Sequence, residues 1–165
     1  MKKRERICID SKKKNSKTEV IMDRDDTVKL LKECDAGTKM AVSSIDEVLE
    51  SISDSQMKQL LQESKDHHEM LENEICELLN KYDAAQKDPN PIAKGMSWLK
   101  TNMKMSMDAS DATVADLITD GCNMGVKTLN KYLNQYENAD KESKEICGRL
   151  ISIEEKLCKE LEEYL

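Results

Sequence analysis

The chain of 165 residues has no phenylalanine, one tryptophan and four tyrosines, so aromatics make up only 3% of it. A core without aromatics has to be filled by Leu, Ile, Val and Met, a set that favours helices over strands. No stretch approaches the ~20 apolar residues of a membrane-spanning helix, so no membrane span is expected. The segment Arg6-Ile7-Cys8-Ile9-Asp10 is too short for the apolar part of a secretory signal. Six cysteines stand at 8, 34, 76, 122, 147 and 158 with no CxxC pair. They lack the tight spacing of a secreted disulfide framework, and reduced thiols in a cytoplasmic protein are the expectation. A Gly-rich phosphate loop, an HExxH motif and a nucleophile elbow are all missing. A carboxylate pair among 33 acidic residues carries no information, which leaves enzyme readings resting on fold analogy.

What is present is charge and helical periodicity. Hydrophobic residues are 38% and charged residues 36%, and a chain of this length can bury roughly two-thirds of its unfolded surface around one core. The net charge of -7 is uneven: residues 1–18 hold eight Lys or Arg against Glu5 and Asp10, a local +6 that leaves -13 elsewhere. An acidic body repels phosphate backbones, so no nucleic acid partner is expected. Residues 1–22 read as a flexible basic arm, with Met22 as an alternative translation start, and residues 23–165 as the folded domain.

Four amphipathic runs follow. The first helix extends from near Asp25 to Ile52 with Val28, Leu31, Thr38, Val42, Ile45, Leu49 and Ile52 at steps of three and four. Ser53-Asp54-Ser55 caps a second helix whose stripe passes through Met57, Leu60, Leu61, Ser64, His67 or His68, Leu71, Ile75, Leu78 and Tyr82. So short a turn makes the two antiparallel neighbours. Pro89 and Pro91 end the second helix, and 92–105 holds a short amphipathic run around Trp98 within a long crossover. The third helix begins at Ser110 and Asp111 and ends near Tyr136; the fourth follows Asn138-Ala139-Asp140. The fold expected is an all-α four-helix bundle of two antiparallel hairpins.

This layout, with Leu30-Leu31-Lys32-Glu33-Cys34-Asp35-Ala36-Gly37 opening the first helix and Asp66-His67-His68-Glu69 in the second, resembles the ferritin-like superfamily, in particular its small bacterial members of unassigned role. The resemblance covers roughly Asp23 to Leu165. It implies a di-iron centre made from a Glu on each of two helices and a Glu-x-x-His pair on each of the other two. The residues depart from that pattern. Ser64 stands three before His67 and Lys65 three before His68, where a carboxylate belongs. The first helix has no Asp or Glu between Asp35 and Asp46, and the fourth has no His. Ferroxidase, oxidase and iron-storage activities are therefore not carried over.

Helix register sets His67, Cys122, Cys158 and Glu155 at a similar height, and His68 beside them. Thiolate with imidazole suits zinc or another transition metal better than a di-iron centre. The bland reading makes the cysteines small hydrophobes and the histidines edge residues. Met103, Met105 and Met107 alternate in a pattern that offers thioether ligands to Cu(I), or else pack the crossover. The function expected is a non-catalytic structural or protein-interaction module without a cofactor, a homodimer by the habit of bundles. The alternative is a metal-binding or redox protein using His67, His68, Cys122, Glu155 and Cys158. A third reading has the arm docking on an anionic surface.

Overall fold

A computed structural model describes the backbone of residues 3–85 and 110–165 and the side chains of 23–85 and 110–165. The described residues form four α-helices and no strand: α1 (Lys3–Leu49), α2 (Ser55–Lys81), α3 (Asp111–Gln135) and α4 (Lys141–Leu161), with a 3₁₀ turn at Glu162–Tyr164. The backbone of α1 is helical from Lys3, within the segment read from sequence as an arm. The side chains of that segment, Cys8 among them, lie outside the described residues, as do the crossover, its short helix around Trp98, and Met103, Met105 and Met107.

The starts of α2, α3 and α4 are chemically marked. Free N–H groups in a first turn need acceptors, and Asp54 supplies one carboxylate oxygen to the N–H groups of Gln56 at 2.9 Å and Met57 at 2.8 Å. Ser110 Oγ accepts from Thr113 N at 3.3 Å, and Asp140 Oδ1 from Ser143 N at 2.7 Å. At the end of α2 the chain turns through Asp83, whose φ of 51° is left-handed. There the N–H of Ala84 reaches Leu79 O at 3.0 Å and that of Asp83 reaches Asn80 O at 3.1 Å, the paired bonds of a Schellman closure.

Buried residues recur at alternating steps of four and three: Thr27, Leu31, Cys34 and Thr38 on α1; Met57, Leu61, Ser64, His68, Leu71, Ile75 and Leu78 on α2; Ala115, Ile118 and Cys122 on α3; Ser143, Cys147, Leu150, Glu154, Leu157 and Leu161 on α4. That spacing keeps one seam of each helix turned to its neighbours in a bundle. α1 packs on α2, α3 on α4, and α4 also on α1 and α2.

Hydrogen bonds fix which ends meet. Arg24 donates to Tyr82 O at 2.7 Å, Tyr82 Oη to Asp140 Oδ2 at 2.6 Å, and Asp140 N to Thr27 Oγ1 at 2.8 Å. At the opposite end the Asp111 carboxylate accepts from Ser53 N and Asp54 N, both at 2.8 Å, so α2 and α3 start side by side. The apolar interior falls into two clusters. One, nearer Tyr82, contains Leu30, Leu31, Cys34, Leu71, Ile75, Leu79, Cys147 and Leu150. The other, nearer Asp111, contains Ile45, Val48, Met57, Leu61, Val114, Ile118, Cys122 and Leu157. Between them lies a polar layer.

Candidate functional site

The polar layer is centred on His68, which is 0% exposed. Its Nδ1 is 2.8 Å from the carbonyl oxygen of Ser64, one helical turn earlier. A carbonyl only accepts, so Nδ1 carries a hydrogen and the ring's tautomer is set. Its Nε2 faces Glu154 Oε1 from α4 at 3.2 Å. With Nδ1 already protonated, that contact is a hydrogen bond only when one further proton resides on Nε2 or on the carboxyl. The contact thus joins the two hairpins through their interior.

Glu154 is buried too. Gly125 of α3 faces it: a Cβ there would stand 3.6 Å from Glu154 Oε1, in ordinary contact. Beside the carboxylate lies Cys122, whose thiol is pushed far up by burial, then by the charge of Glu154 and by Cys158. Cys158, half-buried, is also pushed up by burial and by Glu154 and Glu155, against a lowering hydrogen bond with Cys122. Its Sγ lies 3.8 Å from Thr119 O. Burial and the neighbouring carboxylates thus favour the thiol form of both sulfurs in the metal-free chain. The hydroxyls of Ser64 and Thr119 are buried at this level without a hydrogen-bond partner.

Of the residues singled out by sequence, His68, Cys122 and Cys158 come together. His67 is exposed on α2 and lines a shallow groove with Glu63, Ser64, Lys156 and Glu160. Glu155 is exposed, and the central carboxylate is the preceding residue, Glu154. A signal for it existed: Glu154 falls on the four-three repeat that runs Ser143, Cys147, Leu150, Glu154, Leu157, Leu161, just as His68 and not His67 falls on that of α2. An acidic residue on an aliphatic stripe is the mark of a buried partner for an opposite group.

A structural zinc takes four protein ligands and a catalytic one three. No three or more His, Cys, Asp or Glu among the described residues are grouped so as to hold a metal ion, and His68 has one nitrogen committed to Ser64 and the other to Glu154. As placed, the donors do not fit a di-iron or zinc centre. On α1 the buried acid is Asp35, whose Oδ2 pairs with Lys39 Nζ at 2.9 Å. No helix among the described residues is long and apolar enough to cross a membrane. The chain matches no protein-family model, no curated protein and no solved structure.

Proposed function

We propose that this chain is a ferritin-like four-helix bundle in which a protein-only polar layer occupies the height of the di-iron centre, and that it serves as a non-catalytic structural or protein-interaction module, working as a homodimer. The observation that carries the reading is His68: one ring nitrogen donates to its own helix and the other meets Glu154. Such an imidazole locks α2 to α4 instead of offering a lone pair to a metal. The common starting end of α2 and α3 supports the crossover connection, because a chain leaving the end of α2 must then return along the bundle before α3. Exposed methionines on α1, α2 and α3, at Met40, Met70 and Met124, favour an interaction role, since flexible thioether side chains adapt to varied partners.

Elemental analysis of protein isolated without chelators, with light scattering for mass, tests the proposal. The expected result is well under one transition-metal ion per chain, a particle of two chains, and a melting temperature unmoved by EDTA or by added zinc. Two retained iron atoms per chain would overturn it. A second reading, a metal or redox site formed after rearrangement of His68, Glu154, Cys122 and Cys158, draws on the buried hydroxyls of Ser64 and Thr119 that lack a hydrogen-bond partner beside them. One equivalent of zinc lost together with stability on Cys122→Ala selects it.

A further inference from the structure

A second pair of thiols lies away from the polar layer, in the apolar cluster nearer Tyr82. Cys34 on α1 and Cys147 on α4 are each 0% exposed and belong to the same cluster, close enough that each thiol shifts the ionisation of the other, while Cys147 Sγ donates to Leu129 O at 3.9 Å. The geometry that holds them is a register. Asp140 N meets Thr27 Oγ1 at 2.8 Å across a separation of 113 residues. Cys34 and Cys147 are separated by the same interval, and so are Gly37 and Leu150, where a Cβ built on Gly37 would lie 3.7 Å from Leu150 Cδ2. Two contacts at one interval, one on either side of the thiol pair that shares it, mean that α1 and α4 run parallel, with a glycine one turn beyond the cysteines. Helices packed ~8–10 Å apart, with Cα atoms ~2.3 Å from each axis, bring facing Cα atoms to about 3.4–5.4 Å. A disulfide spans Cα atoms roughly 4.4–6.8 Å apart.

We propose that Cys34 and Cys147 form a reversible disulfide with hydrogen peroxide as the oxidant, stapling α1 of the first hairpin to α4 of the second. The Cys147 sulfur attacks one peroxide oxygen as thiolate; the O–O bond breaks, hydroxide leaves, and Cys147 becomes a sulfenic acid. The Cys34 sulfur then attacks Cys147 Sγ. The S–S bond forms as the S–O bond breaks, and the departing hydroxide takes the Cys34 proton as water. Two thiols and one peroxide give one disulfide and two waters, with both electrons passing from sulfur to peroxide. The order of attack follows from the pairing of the two thiols, which holds Cys34 well above the ordinary thiol range and draws Cys147 below it. In the other thiol pair the Glu154 charge opposes ionisation of both sulfurs. Burial sets the rate. Peroxide reaches Cys147 only when the helices part locally, so this pair reacts more slowly than half-exposed Cys158.

The test is peptide mapping of the full chain. Reduced protein, freed of reductant, is exposed to peroxide until Cys158 is oxidised and for several-fold longer, then alkylated under denaturing conditions, digested and weighed. The expected product joins the Cys34 and Cys147 peptides, reverts with dithiothreitol, and raises the melting temperature by at least about 5 °C, because the closed loop is long. Recovery of Cys34 and Cys147 as free thiols, or cross-links confined to Cys122 and Cys158 or to Cys8 and Cys76, would overturn the proposal. The unmutated chain suffices, so a core variant that fails to fold does not blunt the result.

Discussion

α2 and α4 touch through polar groups at several heights, an exposed Arg149–Glu74 ion pair among them, and two of these contacts differ in everything but their partners' helices. His68 with Glu154 lies in the interior; Tyr82 with Asp140 lies at the rim. They are separated by the same fourteen residues on each helix, about 21 Å along the axis, so one antiparallel register serves both. At the rim, water can replace a lost partner, and Asp140 has three employments at once: it caps α4 through Ser143, accepts from Tyr82 and donates its N–H to Thr27. In the interior nothing replaces a lost partner. A buried polar pair therefore adds little to stability when intact and costs much when half removed.

That asymmetry gives the largest expected effect. Glu154→Ala strands the Nε2 side of His68 in an aliphatic surround and should lower unfolding free energy by about 3 kcal/mol, within the range for a broken buried pair. The double variant His68→Leu with Glu154→Met removes both polar groups at similar volume and should return to within about 1.5 kcal/mol of the parent. Urea unfolding of the parent, the single variant and the double variant measures this. A double variant as unstable as the single would mean that the two groups do not compensate one another.

The same contrast shows what was legible in the sequence. The starts of α2, α3 and α4 were readable because caps are local chemistry: Asp54, Ser110 and Asp140 each cap their helix through their own side chain, whereas α1, expected from near Asp25, is helical from Lys3. The rim contacts were not readable, since Tyr82 and Asp140 meet only after both hairpins dock. The centre was half legible. Helix register placed His68 with Cys122 and Cys158 at one height, but height does not fix rotation about the helix axis. Glu155 and His67 share the height of the layer and face outward, whereas Glu154 and His68, each one residue away and thus about 100° around the helix, face inward. Strict adherence to the four-three repeat, instead of to hydrophobicity, would have selected the inward member in both cases.

At the rim the expected losses are smaller and graded. Asp140→Ala removes a helix cap and a hydrogen bond together and should cost about 2 kcal/mol, whereas Tyr82→Phe removes the bond alone and should cost about 1 kcal/mol, both read from chemical denaturation. Acid and alkali probe the same bond from its two ends. Burial by itself would raise the Asp140 carboxyl, but hydrogen bonds from Tyr82 and Ser143 hold it below its ordinary 3.8. A depressed carboxyl contributes stability above its unfolded value, and that contribution is lost as pH falls through the folded value. Tyr82 is pushed up to about 12 by the hydrogen bond to Asp140, with burial adding to it. A raised phenol contributes stability that is complete below its ordinary 10.0 and lost as pH rises toward about 12. Unfolding profiles across both ranges should show the alkaline decline weakened in Tyr82→Phe, while the acid decline persists through the Ser143 cap.

The smallest effects return to the interior and ask how tightly the polar layer is filled. Gly121 and Gly125 both lie within α3, where replacing glycine by alanine gains about 0.8–1 kcal/mol when the added methyl meets no obstacle. A Cβ on Gly121 would have nothing within 4 Å, so Gly121→Ala should realise that gain in full. A Cβ on Gly125 would sit 3.6 Å from Glu154 Oε1 and 3.7 Å from its carboxyl carbon. That distance is ordinary contact, so no clash subtracts from the gain, but the methyl presses an apolar group on a carboxylate that already lacks water. Gly125→Ala should therefore gain about 0.5 kcal/mol less than Gly121→Ala, and the shortfall should vanish in the His68→Leu, Glu154→Met background where the carboxylate is gone. Equal gains at both positions in the parent would mean that Glu154 has room to move away, and that the layer is looser than the 3.2 Å approach of His68 to Glu154 implies.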